Sequence, residues 1–83
     1  MKVTIRFFSS LREQLGISHQ VHETVALDVA QLRSELMLLQ PGFAQALAPG
    51  KAIRVAVNQE VCDDTAFLSE GCEVAFFPPV TGG

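Results

Sequence analysis

The stretch Glu73-Val74-Ala75-Phe76-Phe77-Pro78-Pro79-Val80-Thr81-Gly82-Gly83 decides how the rest of the chain is interpreted. Its first half is apolar enough for a buried strand. Each proline then fixes φ and removes a backbone donor, so the chain should stay extended and leave the sheet. The final glycines present bare backbone, which can enter a channel too narrow for any Cβ atom. We therefore expect a globular domain over residues 1–77 and an extended functional tail over residues 78–83.

Length, charge and apolar content limit the classes to which the protein can belong. Eighty-three residues, 48% of them hydrophobic, make one small folded domain with room for one sheet and one substantial helix. The net charge of -3 and the scattered basic residues argue against nucleic acid or a membrane as partner. Neither a signal peptide nor a membrane span is evident, so we expect a cytoplasmic protein with Cys62 and Cys72 as reduced thiols.

Alternating apolar residues predict five strands, over residues 2–8, 20–27, 52–57, 60–62 and 73–77. In the first strand, Val3, Ile5 and Phe7 should face the core. In the second, we expect Val21, Val25 and Leu27 to form the apolar set. Asn58-Gln59 should make the tight turn between the third and fourth strands, because asparagine tolerates positive φ.

Capping signals and helical spacing predict the helices. Ser10-Leu11-Arg12-Glu13 has the form of a capping box and Gly16 is placed to stop a helix over residues 10–15. Asp28-Val29-Ala30-Gln31 should cap a main helix that buries Val29, Leu32, Leu36 and Leu39 and ends near Gln40, before Pro41. We expect a turn-rich return with a short helical piece over residues 43–50, and one helical turn over residues 65–68.

These elements fit an α+β fold, with one mixed sheet of four or five strands and the main helix across one face. The first and last strands are the most apolar, which places them in the centre. A parallel pairing of these two strands, each flanked by a hairpin partner, is the β-grasp arrangement of ubiquitin. The sequence therefore predicts a ubiquitin-like β-grasp domain.

The stretch from Glu73 to Gly83 closely resembles the ending of the small, sulfur-carrying subunits of molybdopterin synthase, which are ubiquitin-like sulfur carriers. Phe7-Phe8-Ser9-Ser10-Leu11-Arg12-Glu13 is similar to that family's first strand and helix. The resemblance implies that a separate E1-like enzyme uses ATP to adenylate Gly83. A sulfur donor then supplies the atom that makes the terminal carboxylate a thiocarboxylate.

The resemblance also implies how the sulfur is used. The tail residues thread into the large subunit of the synthase, within a heterotetramer, and Gly83 passes its sulfur to a pyranopterin precursor of the molybdenum cofactor. The chain would then be the sulfur-donating subunit of a sulfurtransferase, without catalysis of its own. The threading residues are Pro78, Pro79, Val80, Thr81 and Gly82.

Sequence patterns for a catalytic, nucleotide-binding or metal site within the chain itself are weak, and we expect no bound cofactor or metal. No GxxxxGK[ST] phosphate loop is present, so ATP chemistry belongs to another protein. His19 and His22 lie three apart in a strand and should point to opposite faces, as two solvated side chains rather than a metal pair. A turn and a helix cap explain Asp63 and Asp64 better than an acid pair does.

Strand alternation also predicts a docking surface on the face of the sheet that the main helix leaves open. Because the first and last strands run parallel, Phe8 and Phe77 should lie together where the tail departs. An apolar patch at this place is typical of a partner site; the alternative is that the tail or a loop covers it. The expected patch residues are Phe8, Ala56, Ala75 and Phe77, with Arg6 and Arg54 at the rim.

Three other functions stay open on the sequence. A carrier for thiazole synthesis or for tRNA thiolation would share the Gly-Gly ending, although the Phe-Phe-Pro-Pro-Val segment favours the molybdopterin role. A ubiquitin-like interaction module would carry a tail that is never activated. A frayed end without function is the bland alternative for any glycine-rich terminus.

Overall fold

A computed structural model describes residues 1–39, 41–47 and 52–79 of the chain. Across these ranges, none of the helices has the length and apolar character needed to cross a membrane. The elements in chain order are β1 (Lys2–Phe7), α1 (Ser10–Leu15), β2 (His19–Glu23), α2 (Val29–Leu39), α3 (Pro41–Leu47), β3 (Arg54–Val57), β4 (Glu60–Cys62) and β5 (Glu73–Phe77).

The described strands form one mixed sheet in the order β2-β1-β5-β3-β4. The pairing of β1 with β5 is parallel, with Thr4 opposite Glu73 and Phe7 opposite Phe76. The other three pairings are antiparallel. The predicted β-grasp arrangement, with the first and last strands inside the sheet, is therefore confirmed.

The core lies between this sheet and the helices. Val3, Ile5 and Phe7 are buried, as predicted for β1. The ring of Phe7 stacks between those of Phe43, at 5.7 Å between centroids, and Phe76, at 6.1 Å. Such aromatic pairs stabilise by about 0.5–1.5 kcal/mol beyond the burial of their area. Three rings from three elements thus tie α3 to the two central strands.

The main helix α2 begins with the predicted cap. The Gln31 backbone N–H donates to the Asp28 Oδ1 atom at 2.8 Å, and the Leu27 N–H donates to the Gln31 side chain at 2.9 Å. Val29, Leu32 and Leu36 are fully buried, but Leu39 is 57% exposed and is not part of the core. The apolar stripe of α2 therefore ends one turn earlier than its spacing predicts.

Two local predictions for turns and helices are wrong, and a third is confirmed only in part. Ser10 is the first residue of α1 rather than its cap, and Ser9 before it, at φ 55°, makes no side-chain capping bond. The short helical piece expected within residues 43–50 is a helix that begins earlier, at Pro41, because proline fits the first helical position and the helix buries Phe43 and Leu47; residues 48–50 lie outside the described part of the chain. Residues 65–68 form no helical turn: the Asp63 carboxylate instead accepts hydrogen bonds from the backbone and hydroxyl of Thr65.

The orientation predicted for β2 is also wrong. Val21, Val25 and Leu27 are 67%, 88% and 63% exposed. The pairing of His22 with the inward-facing Val3 places His22, rather than Val21, on the helix side of the sheet. The strand ends at Glu23 rather than at Leu27, and Val21, Val25 and Leu27 point to solvent, whereas Ala26 in the loop after the strand is buried.

The prediction that both histidines are solvated is therefore wrong for His22, which forms half of a partly buried pair. Its Nε2 atom lies 2.6 Å from the Glu35 Oε1 atom of α2. Burial alone raises the pKa of Glu35, but hydrogen bonds from Thr24 and His22 and the charge of His22 outweigh that effect. The pKa of the Glu35 carboxyl is therefore below its ordinary value. A polar partner on α2 explains why β2 can turn a histidine inward.

Candidate functional site: the tail end of the sheet

The last strand fixes the direction in which the tail leaves the domain. Phe77, the final residue of β5, lies opposite Arg54 of β3, and the Phe8 N–H donates to the Phe76 carbonyl at 3.2 Å. Pro78 and Pro79 follow the strand and are half-buried. The division of the chain after residue 77 stays a prediction. The other proposed tail residues lie outside the described part of the chain: Val80, Thr81, Gly82 and Gly83.

The open face of the sheet carries a row of residues that crosses all five strands. Ala75 of β5 lies at its centre, between Arg6 of β1 and Ala56 of β3. Both alanines are less than 10% exposed, yet neither joins the core between sheet and helices. They form a low floor on the open face. His19 of β2 and Val61 of β4 complete the row at the two edges.

Two aromatic side chains lie next to this floor, at the end from which the tail departs. Phe8 follows β1 directly and is 41% exposed, whereas Phe77 is half-buried. Arg54, opposite Phe77, is exposed. Together these residues make the predicted surface, which we call the tail-end patch. It consists of Phe8, Ala56, Ala75 and Phe77, with Arg6 and Arg54 at its rim.

Arg6 is held in place by two neighbours on the same face. Its guanidinium carbon lies 5.9 Å from the centre of the Phe8 ring, within the range of a cation–π contact. Its Nη1 atom lies 3.4 Å from the Glu73 Oε1 atom. An exposed ion pair of this kind stabilises by at most about 1 kcal/mol. Arg6 is therefore oriented by Phe8 and Glu73, but the ion pair with Glu73 adds little stability.

The family model described as ThiS family matches residues 5–83. The chain belongs to the ThiS family. It is 37% identical to the molybdopterin synthase sulfur carrier subunit of Escherichia coli (strain K12), over 98% of this chain and 99% of that one. It is 35% identical, with the same coverage, to the subunit of that name from Haemophilus influenzae.

Two solved structures show the same fold as this ThiS family member. The crystal structure of SAMP1 from Haloferax volcanii covers 100% of both chains with a TM-score of 0.81, at 22% identity. The complex of subunits 1 and 2 of the molybdopterin-converting factor from Helicobacter pylori also covers 100% of both chains, with a TM-score of 0.70 and 26% identity. Together, the comparisons confirm the predicted family, the ubiquitin-like fold and a sulfur carrier role in molybdenum cofactor biosynthesis.

The two cysteine thiols of this ThiS family member are other groups that could react with sulfur. Cys72 is buried and Cys62 is half-buried. Burial raises the pKa of the Cys62 thiol above its ordinary value; a backbone hydrogen bond at Val57 opposes this, and the charges of Asp63 and Asp64 reinforce it. Because the thiolate is the reactive form, Cys62 is a poorer nucleophile than a free cysteine.

The acidic residues near Cys62 have structural partners. The Asp64 carboxylate accepts two hydrogen bonds from the Arg33 Nη1 atom, at 3.0 and 3.1 Å, and Arg33 also donates to the Leu47 carbonyl at the end of α3. Asp63 makes the turn with Thr65. Within the described ranges, no group of three or more His, Cys, Asp or Glu side chains is placed to hold a metal ion.

Sequence reasoning missed two residues of the open face, Glu73 and Val61. Val61 is 67% exposed opposite Ala56, and Glu73 holds Arg6. A signal for Val61 was available, because a two-residue turn at Asn58-Gln59 fixes the register of β3 and β4. No comparable signal exists for Glu73, whose pairing with Arg6 depends on the parallel register of β1 and β5.

Proposed function

We propose that this chain is the sulfur-carrying subunit of a molybdopterin synthase and carries sulfur as a thiocarboxylate on Gly83. The observation that supports the proposal most directly is the extent of the match. The ThiS family model reaches residue 83, and the alignment with the Escherichia coli sulfur carrier subunit includes 99% of that protein. The Gly-Gly ending therefore falls within the stretch that the family model matches.

The proposed chemistry starts at the terminal carboxylate. In the activating enzyme, a carboxylate oxygen of Gly83 attacks the α-phosphorus of ATP and pyrophosphate leaves. A hydrosulfide equivalent from the donor then attacks the acyl carbon, and AMP departs with the former carboxylate oxygen. The product is a thiocarboxylate, whose sulfur is a far better nucleophile than oxygen. The chain itself holds no cofactor in this scheme, and its cytoplasmic location stays a prediction.

The tail-end patch supplies the docking surface in this proposal. The Helicobacter pylori structure is described as a complex of subunits 1 and 2 of the molybdopterin-converting factor. By analogy, a large subunit covers Phe8 and Phe77 while Arg6 and Arg54 meet its acidic groups, and two such pairs form the heterotetramer. Six extended residues from Pro78 to Gly83 reach at most about 20 Å. The acceptor site of the large subunit therefore lies within that distance of the patch.

Reconstitution tests the proposal. The chain is incubated with the activating enzyme, ATP, a sulfide source, the large subunit and the pyranopterin precursor, and product is measured for three proteins. We expect wild type and Cys62→Ser to form product, and the variant without Gly83 to form none at an unchanged melting temperature. Product from the shortened chain, or its loss in Cys62→Ser, would contradict the proposal. Sulfur loading of Gly83 without transfer to this precursor would indicate a carrier for thiazole or tRNA thiolation.

A further inference from the structure

The edge strand β2 has an unusual surface for a strand at the border of a sheet. Its outer edge pairs with no other strand in the described part of the chain. Native edges are commonly protected by charged side chains, especially lysine, by proline, by a bulge or by an inward-pointing charged residue; of these, β2 has Glu23 and the inward-facing His22. The sequence of β2, His19-Gln20-Val21-His22-Glu23, contains neither lysine nor proline, and Val21 at its centre is 67% exposed. The opposite edge, β4, is only three residues long.

The backbone groups that β2 offers at this edge follow from its pairing with β1. Thr24 and Met1 exchange both backbone hydrogen bonds, and the Phe7 N–H donates to the Ser18 carbonyl. Bonded pairs alternate along an antiparallel ladder, so every second residue of β2 points its N–H and C=O toward β1. The intervening residues, His19, Val21 and Glu23, therefore point theirs outward.

These three residues are complementary to themselves. In an antiparallel pairing of β2 with a second β2, the register that overlaps all five residues places Val21 opposite Val21 and His19 opposite Glu23. It pairs outward-pointing backbone with outward-pointing backbone, which allows about six hydrogen bonds. A register shifted by one residue would face outward groups with inward ones. Pairing that is shifted by two would bring only three residues together.

Side chains on the open face favour the same register. The Ser18 hydroxyl lies 3.2 Å from the His19 Nδ1 atom; in the tautomer in which Nδ1 accepts this hydrogen bond, Nε2 carries the proton and can donate to a carboxylate. Glu23 is 70% exposed, and its Oε2 atom is 3.2 Å from the Met1 amine, which leaves Oε1 as an acceptor. Opposite charges or hydrogen-bonding groups directly across an antiparallel pair stabilise it, and two valines meet at the centre.

We propose that β2 is a self-association edge, which pairs antiparallel with β2 of a second copy of this chain through the Val21–Val21 register. The two sheets then form one continuous sheet about a two-fold axis. Both open faces lie on the same side, and the two tails leave in opposite directions. Because only five residues on each side contribute, the interface belongs to the small, weak class, and we expect the dimer to form only at high protein concentration. The proposal does not depend on the chemistry of Gly83.

Sedimentation equilibrium, from about 20 µM to about 2 mM protein, tests this edge, because a weak interface of this size should form only toward the upper end of that range. The variant Val21→Lys places two ammonium groups at the two-fold axis. Its matched control is Val61→Lys on the other edge, where the valine has the same 67% exposure on the same face. We expect wild type and Val61→Lys to approach the dimer mass, and Val21→Lys to dissociate at least tenfold more readily.

A charge exchange gives an independent test. His19→Glu sets two carboxylates opposite each other and should weaken the dimer, whereas His19→Glu combined with Glu23→Lys should restore it. Amide NMR spectra confirm that each variant is folded, and shifts on dilution should concentrate at residues 19–23. A wild type that stays monomeric at about 2 mM, or a dimer that Val61→Lys disrupts as strongly as Val21→Lys, would overturn the proposal. So would a charge exchange that fails to restore association.

Discussion

Phe76 and Phe77 are neighbours in β5 that face opposite sides of the sheet. Phe76 is fully buried and stacks on Phe7, whereas Phe77 is half-buried beside Arg54 in the tail-end patch. If the patch is the partner site, the two residues have separable roles. We expect Phe77→Asp to fold but no longer to bind the large subunit, and Phe76→Ala to lose a large part of its stability.

The expected sizes follow from burial. A domain of this length has a free energy of unfolding of about 4–12 kcal/mol. Phe76→Ala should remove about 3–5 kcal/mol of it, because the ring leaves a cavity in the core. Phe77→Asp should remove only about 1 kcal/mol, which lowers the melting temperature by about 4–8 °C. Loss of an aromatic anchor from an interface weakens binding by about 2 kcal/mol or more, which is roughly thirtyfold.

Urea unfolding and calorimetric titration with the large subunit measure the two quantities separately. Phe67→Asp is the matched control, because Phe67 is 82% exposed and lies outside the patch, next to Asp28. This control should bind as wild type does. The reasoning is refuted if Phe77→Asp fails to fold, if it binds with unchanged affinity, or if Phe67→Asp weakens binding to the same extent.

Three further variants test the supporting structure. Glu35→Gln should reduce the amount of stability that the protein loses on acidification. Because the pKa of Glu35 is lowered in the folded protein, its carboxylate beside His22 stabilises the fold above about pH 4.5, and this contribution is lost as the pH falls. Urea titrations from pH 3 to 6 would show it. Arg33→Lys should lower the free energy of unfolding by about 1.5–3 kcal/mol, because lysine cannot reproduce the guanidinium contacts with Asp64; an unchanged urea midpoint would contradict this. Gln59→Gly should raise the melting temperature, since Gln59 has φ 71°; a decrease would argue against strain at the turn.

The central strands could be predicted from the sequence because their patterns allow a single orientation. Val3, Ile5 and Phe7 alternate strictly with polar residues, so the burial of β1 follows directly. In β2, the alternating pattern that contains Val21 is compatible with either side of the strand facing the core. The deciding contact is between His22 and Glu35, thirteen residues later, which no local pattern reveals. Tertiary contacts therefore determined this strand where periodicity could not.

The same distinction explains why helix α3 was predicted only in part. A short helical piece was expected within a turn-rich segment over residues 43–50, whereas the helix begins at Pro41 despite the low helix propensity of Pro41 and Gly42. The helix forms because Phe43 and Leu47 are buried in the core and Arg33 binds the Leu47 carbonyl. The tail-end patch, by contrast, could be placed from alternation and parallel pairing alone. Only the orientation of Arg6, which its contacts with Glu73 and Phe8 determine, could not be predicted from the sequence.

The central claim is that the reactive atom belongs to the last residue of the chain. The most direct measurement is the intact mass of the protein co-expressed with its activating enzyme, followed by fragmentation of the C-terminal peptide. We predict a gain equal to the exchange of one oxygen for sulfur, located at Gly83 and absent without the activating enzyme. Sulfur found on Cys62 instead, or an unmodified Gly83 alongside an enzyme that is active on other carriers, would contradict the account.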